Sequence, residues 1–257
     1  MGEAEGLNAG AGVNLVMKLI INGAAGKMGH MIAKMAGSEN IAALVDVMGG
    51  EGICKNLDEF TGEADCVIDF TTHKATPNVV GYCVKRGLPV LIATTGQTEE
   101  ELAQVREAAK KIPVFISPNM SIGVALVADL AERTARIFGD CDIELIEAHH
   151  NQKLDVPSGT ALMLAKRVQE ARESLTFNIG RHENGKRTAN EIGIHSLRYG
   201  TEVGTHELIF SNGLETITIR HDAKDRALFA RGALSAAKWL VNQPAGLYGM
   251  RDFLKEA

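Results

Sequence analysis

The segment Glu147-Ala148-His149-His150-Asn151-Gln152-Lys153-Leu154-Asp155-Val156-Pro157-Ser158-Gly159-Thr160 gathers two histidines, a lysine and a helix start into fourteen residues. An imidazole gives or takes a proton near neutral pH. A lysine four residues beyond His149 can neutralise an anion or assist protonation. Ser158, Gly159 and Thr160 at a helix start offer hydroxyls and backbone N–H groups to a carboxylate. Together these residues fit an anionic substrate that needs a proton. Each also has a plainer role, with Ser158 as a helix N-cap, Lys153 as surface charge and a histidine simply solvated. Adjacent histidines raise the question of metal, but no HExxH pattern or cysteine partner accompanies them, so no metal is expected.

A second candidate site lies near the start of the chain. Gly23, Gly26 and Gly29 follow an apolar run, MKLIIN, and precede a helical pattern through His30, Met31, Lys34 and Met35. Glycine lets the backbone turn tightly and approach a pyrophosphate, while free N–H groups at the helix start, around Lys27 and Met28, supply donors and positive potential. The spacing is GxxGxxG, not GxGxxG, and a strand–helix turn without a ligand could use the same glycines. Asp46 ends the next strand, 23 residues past Gly23, where an acidic side chain can accept hydrogen bonds from ribose hydroxyls; it could equally start a turn. No Arg or Lys occurs in Val47–Gly50. Phe70 and Thr71 close a third strand and Thr94, Thr95 and Gly96 a fourth, the ends at which cofactors lie in open α/β sheets.

The elements that must hold these residues follow from the hydrophobic pattern. After MKLIIN, the runs at 41–46, 66–70, 89–95 and 113–119 read as short buried strands. Thr76–Arg86 and Thr98–Lys110 carry helical spacing, and Thr98 with Glu101 makes a capping box. Apolar strands alternating with helices predict a Rossmann-like, doubly wound parallel sheet of the α/β class. Beyond residue 120 the pattern changes. A helix over Val124–Ile137 leads to a strand at 143–150, and a further helix opens at Ser158. Three runs of period two follow at 192–198, 205–211 and 214–221, the last two joined by Asn212-Gly213 as a two-residue hairpin turn. These predict a second, α+β domain with a mixed or antiparallel sheet. A final helix over Ala227–Val241 could cap either domain.

Composition limits the possible functions. The 257 residues are 45% apolar and 23% charged, with 27 Lys and Arg against 32 Asp and Glu, so the net charge of -5 lacks the basic excess that nucleic-acid binding demands. No apolar run approaches the roughly 18 residues needed to cross a bilayer, so no membrane partner is expected. Four cysteines, Cys54, Cys66, Cys83 and Cys141, form no CxxC pair, which fits a reducing cytoplasm. Residues 1–16, rich in Gly, Ala and Asn, read as a disordered leader ahead of a natural start at Met17.

On these motifs the chain resembles the 4-hydroxy-tetrahydrodipicolinate reductase (dihydrodipicolinate reductase) family of the diaminopimelate route to lysine. The resemblance spans about Lys18 to Leu254 and rests on GAAGKMG, DFT at 69–71, ATTG at 93–96, PNMSIGV at 118–124 and, most specifically, EAHHNQKLDVPSGTA. It implies a nucleotide domain of residues 17–119 with 227–257, a substrate-binding and oligomerisation domain of 120–226, a hinge and a homotetramer. It implies that NADH or NADPH delivers hydride to the C=C–C=N system of a cyclic dicarboxylate, formed as water leaves the hydroxylated ring. By the same resemblance His149 is the catalytic acid, Lys153 its partner, and His150, Lys153, Ser158, Gly159 and Thr160 bind the substrate carboxylates. Asn119 and Met120 fall where the family often reads Asn-Phe-Ser, so Met120 supplies apolar contact to the cofactor without aromatic stacking. Relatives that use both cofactors often carry a base after the ribose-binding acid. Val47 stands there, so NADH is expected to serve at least as well as NADPH.

Two other functions use part of this pattern. A different two-domain dehydrogenase, acting on aspartate or homoserine, would not need the pairing of His149, His150 and Lys153 with the SGT start. A nucleotide-binding redox sensor would keep the glycine turn but need neither His149 nor Lys153.

Overall fold

The computed structural model describes residues 17–256, so the reading of 1–16 as a leader lies outside the described residues. The chain divides into two compact units, one of the described residues through Met120 with Phe229–Glu256, the other of Ser121–Leu228.

The first unit opens with β1 (Leu19–Asn22), buried at every residue, and α1 (Lys27–Ala36), which starts directly from the glycine turn. β2 (Ile41–Val45), the short β3 (Ile53–Cys54) and β4 (Cys66–Asp69) follow. α2 (Thr76–Arg86), β5 (Val90–Ile92), α3 (Glu99–Ala109) and β6 (Pro113–Ile116) then alternate. The capping box forms as the sequence predicts: Glu101 N–H donates to Thr98 Oγ1 at 3.3 Å, and Thr98 N–H to Glu101 Oε2 at 2.8 Å. β5 ends at Ile92, shorter than the run at 89–95, which leaves Thr94 to Gly96 in a loop.

In the second unit α4 (Ile122–Ile137), capped by Ser121, leads to β7 (Asp142–His149) and α5 (Gly159–Ala171). β8 (Thr176–Ile179), β9 (Glu191–Arg198), β10 (Gly204–Ser211) and β11 (Thr216–Ala223) complete a mixed sheet of order β11-β10-β7-β9-β8. β7 runs parallel to β9 and antiparallel to β10. α4 and α5 cover one face, burying Ala131, Leu164, Ile143, Leu145, Leu208 and Phe210 in a common core. One expectation fails. The β10–β11 turn spans four residues, because the Asn212 side chain accepts the N–H groups of both Leu214 and Glu215 at 3.0 Å. Leu214 is therefore 95% exposed and does not begin the strand.

The chain returns to the first unit with α6 (Ala227–Leu240), β12 (Gly246–Tyr248) and α7 (Met250–Glu256). Trp239 packs edge-on against Phe115, Tyr248 and Phe253, with ring centroids 6.2, 5.3 and 5.9 Å away. That aromatic cluster places the final helix, which the sequence leaves free to cap either domain. β12 adds to β6 at the sheet edge, giving the order β12-β6-β5-β4-β1-β2-β3 with every pair parallel. From β1 the chain builds outward through β2 and β3, then crosses to β4 and builds the other way. The carboxyl ends of β1 and β4 thus flank a topological switch point, where open α/β sheets take their ligands.

Candidate active site

At that switch point the glycine turn has no room for a side chain at Gly23 or Gly29. Gly23 has φ of 88°, and a Cβ there would lie 3.0 Å from the Phe70 carbonyl atoms. A Cβ on Gly29 would come 2.1 Å from Gly23 O, so only glycine lets α1 press on the turn. Asp46 accepts Ala25 N–H from the turn at 3.1 Å and Met48 N–H at 3.0 Å. It therefore starts a turn and also holds the glycine loop, with lone pairs to spare for a hydroxyl.

A cavity of about 760 Å³ opens here, a size suited to a cofactor, and Gly23, Gly26, Asp46, Phe70 and Thr71 line it. Lys55 and Lys85 also face this cavity. Lys27 is exposed and Met28 half-buried at the start of α1, both outside the cavity wall. Thr95 and Gly96 are exposed beyond β5, whereas Thr94 is buried and held by the Gln97 amide at 2.7 Å. Asn119 is half-buried beyond β6, its carbonyl accepting Ser117 Oγ at 2.7 Å. Met120, the last residue of this part of the first unit, is buried at 2% exposure.

Asp69 enters the sequence pattern only as the first residue of DFT at 69–71, with no role of its own. It ends β4 fully buried, with Asn22 Nδ2 and Thr71 Oγ1 donating to its Oδ1 at 2.8 and 2.7 Å. Burial pushes its carboxyl up to about 6, against those two hydrogen bonds.

In the second unit the side-chain alternation of the sheet explains the site. Residues sharing parity with Leu145 on β7, Ile194 on β9 and Leu208 on β10 face α4 and α5. The same parity turns Glu147, His149, Arg198 and His206 inward, where the apolar core gives way to a polar cluster. Glu147 is fully buried and accepts four hydrogen bonds from three groups. These are His149 Nδ1 at 2.5 Å, the Arg198 guanidinium at 2.8 and 2.9 Å, and Ser158 N–H at 3.2 Å. Burial opposes its charge, but the hydrogen bonds from His149 and Arg198 prevail and hold the carboxyl well below the usual carboxylate range. Since an ionised carboxylate only accepts, His149 Nδ1 must be the donor, which fixes the ring and reserves Nε2 for proton transfer. A Cβ on Gly204 would lie 3.0 Å from that Nε2, so the bare glycine leaves the nitrogen its space.

Ser158 N-caps α5, its Oγ accepting Ala161 N–H at 3.1 Å. The same Oγ lies 3.0 Å from His206 Nε2. Lys153 Nζ sits 2.8 Å from Asp155 Oδ1, and this contact holds the Asp155 carboxyl below its ordinary value. His150 is half-buried, with its N–H on Glu202 O at 2.7 Å; Gly159 is exposed and Thr160 half-buried in the first turn of α5. The structure thus gathers His149, Ser158 and the start of α5 about Glu147. The sequence motif contained Glu147 without giving it a task, and missed Arg198 and His206, which come from distant strands. Inward parity on those strands was the signal that would have found them.

Comparison with known proteins agrees with this architecture. The family model described as dihydrodipicolinate reductase, N-terminus, matches residues 17–120, and the one described as dihydrodipicolinate reductase, C-terminus, matches 123–254. A 4-hydroxy-tetrahydrodipicolinate reductase from Caldanaerobacter subterraneus subsp. tengcongensis is 44% identical over 255 residues, covering 94% of this chain and 100% of the relative. Another of that name, from Clostridium novyi, is 41% identical over 247 residues, with 93% and 98% covered. Among solved structures, the dipicolinate-bound dihydrodipicolinate reductase from Paenisporosarcina sp. TG-14 superposes with a TM-score of 0.77 at 27% identity, covering 93% of this chain and 99% of that one.

Proposed function

The chain belongs to the dihydrodipicolinate reductase family, and on that premise we propose how its two units divide the work. Its activity is that of a 4-hydroxy-tetrahydrodipicolinate reductase, an oxidoreductase that reduces 4-hydroxy-tetrahydrodipicolinate, with loss of water, to tetrahydrodipicolinate in lysine and diaminopimelate biosynthesis. The cofactor is a pyridine nucleotide, which when bound supplies the hydride.

The first unit binds that nucleotide. The glycine turn takes the pyrophosphate and Asp46 the ribose hydroxyls, with Phe70 and Thr71 on the facing strand end; the cavity they share supports this assignment. Lys27, Met28, Thr94, Thr95, Gly96, Asn119 and Met120 belong to the same carboxyl edge. NADH serves at least as well as NADPH, because Asp46 meets a 2′-phosphate with like charge. Lys55 and Lys85, also on the cavity wall, are the bases that a preference for NADPH would implicate.

The second unit handles the dicarboxylate. His149, as imidazolium, gives the Nε2 proton to the ring carbon beside the one reduced. Glu147 keeps Nδ1 occupied and balances the charge. Lys153, His150, Ser158, Gly159 and Thr160 hold the carboxylates. The observation that carries this reading is the 2.5 Å His149–Glu147 contact inside a segment that also supplies Lys153 and the α5 start. Oxidation of NADH with freshly generated substrate tests it, and no turnover by the wild-type chain would overturn it.

The assembly is read as a cytoplasmic homotetramer. In support, the sheet face turned away from α4 and α5 carries Ile146, Leu197 and Ile209 among charged residues, and Leu197 is 49% exposed. Sedimentation of the purified chain decides the subunit number.

A further inference from the structure

We propose that His206 is a positioning residue: it directs the Ser158 hydroxyl proton toward the substrate, so that Ser158 meets a carboxylate as a donor. The inference rests on the reading above in which Ser158 touches the dicarboxylate.

A serine hydroxyl has one proton and two acceptor sites. Ala161 N–H, in the first turn of α5, fills one acceptor site at 3.1 Å. His206 Nε2, at 3.0 Å, is the other neighbour, and which way that bond runs decides what remains. If Nε2 lacks a proton, the Ser158 hydroxyl is spent on it, and the ring proton sits on Nδ1. That nitrogen is buried with no hydrogen-bond partner among the described residues, so this tautomer leaves a donor orphaned inside the protein. If Nε2 carries the proton, it donates to Ser158 Oγ, and Nδ1 is left as an unpartnered acceptor, the less costly case. Both acceptor sites of Ser158 are then filled, and the hydroxyl proton is its one free valence, which only an acceptor can satisfy. A carboxylate at the start of α5 is such an acceptor.

The surroundings keep His206 in the required single-proton form. It is 4% exposed and lies opposite Glu147 on β7 and His221 on β11. The His149 ring meets it edge-on at 5.3 Å. Burial first, then the neighbouring charge of His149, push the His206 imidazole down to about 3. It therefore stays neutral while His149 beside it carries the proton to be transferred.

The two amide isosteres separate the ring positions. Counting bonds from Cα, a glutamine nitrogen falls where Nε2 lies, and an asparagine nitrogen where Nδ1 lies. The test combines the nitrogen-15 spectrum of histidine-labelled protein with dipicolinate affinity and steady-state kinetics for His206→Ala, His206→Gln, His206→Asn and Ser158→Ala. The expected spectrum shows His206 protonated on Nε2, a reading independent of turnover. His206→Ala and His206→Asn should raise the dipicolinate Kd and substrate KM about three- to tenfold with kcat within about twofold, and His206→Gln should restore both. The Ala variant combined with Ser158→Ala should bind no more weakly than Ser158→Ala alone. An Nδ1-protonated ring, an unchanged Kd in His206→Ala, or equal losses in the Gln and Asn variants would overturn the proposal. Absence of wild-type turnover alongside an Nε2-protonated His206 would instead count against the assigned substrate.

Discussion

The two candidate sites of this chain are built from different materials. The nucleotide site is made by the backbone: space that only glycine leaves at Gly23 and Gly29, an Asp46 carboxylate tied to the loop it closes, and strand ends brought together by topology. The proton site is made by side chains from two strands and a backbone N–H at a helix start, meeting on one buried carboxylate. A backbone site resides in a few consecutive residues. A side-chain site depends on partners that the chain brings from as far as 51 residues away. The first tolerates changes around it and fails through shape; the second fails through any lost partner.

Substitutions can break that contrast, beginning with the largest effect. His149→Gln should lower kcat by about 10²–10⁴-fold with little change in KM, because positioned proton donation acts mainly in the transition state. NADH affinity, measured by titration, should not move. Glu147→Gln keeps the shape but leaves the Arg198 guanidinium without its charge partner. It should cost about 3–5 kcal/mol of stability, read from denaturant unfolding, besides lowering kcat. Gly23→Ala asks a side chain to adopt φ of 88° against the Phe70 carbonyl, so the NADH Kd should rise about tenfold or more while dipicolinate binding holds. Lys153→Ala should harm KM and kcat together. Thr160→Val keeps the volume and loses one hydroxyl, raising KM roughly tenfold. If Gly23→Ala weakened dipicolinate as much as NADH, the separation of the two sites would be wrong.

The smallest effect is a difference in response to acid. Asp69 in the first unit titrates near 6, above its ordinary 3.8, so the folded state holds a proton that the unfolded chain has lost. Its contribution is fully present below about 4 and is lost as pH rises through 6. His206 in the second unit is shifted the other way, from 6.5 to about 3. Its contribution is present above 6.5 and lost as pH falls toward 3, and Glu147 acts in the same direction below its ordinary 4.5. Melting temperature measured from pH 4 to 6 should therefore rise more steeply in Asp69→Asn than in the wild type, and less steeply in His206→Gln.

What could be read in the sequence follows the same division. The parallel sheet, the capping box at Thr98, the N-cap at Ser158 and the glycine turn were legible because each is declared by neighbouring residues. β12 was not: three residues, Gly246 to Tyr248, carry no periodicity, and their place is fixed by pairing with β6 and by Trp239. The β10–β11 turn was misread because Asn212 uses its side chain to cap a longer loop. Met120 stands next to Asn119 in the sequence, but its burial is set by tertiary packing that neighbouring residues do not declare. Arg198 and His206 look like ordinary strand residues until the inward parity of their strands is known.

The Lys153 ammonium already holds a carboxylate, that of Asp155, at 2.8 Å. If Lys153 holds a substrate carboxylate as proposed, the arriving dicarboxylate replaces one anion by another. The gain in Coulomb energy is the difference between two similar pairs, and the side chain is spared the cost of waiting bare in a half-buried place. On departure of the product, Asp155 can take the lysine back, so the leaving dianion need not pull away from an uncompensated cation. Such a site is suited to quick exchange, and its preference for dianions over single carboxylates has to come from the second anchor, at the start of α5.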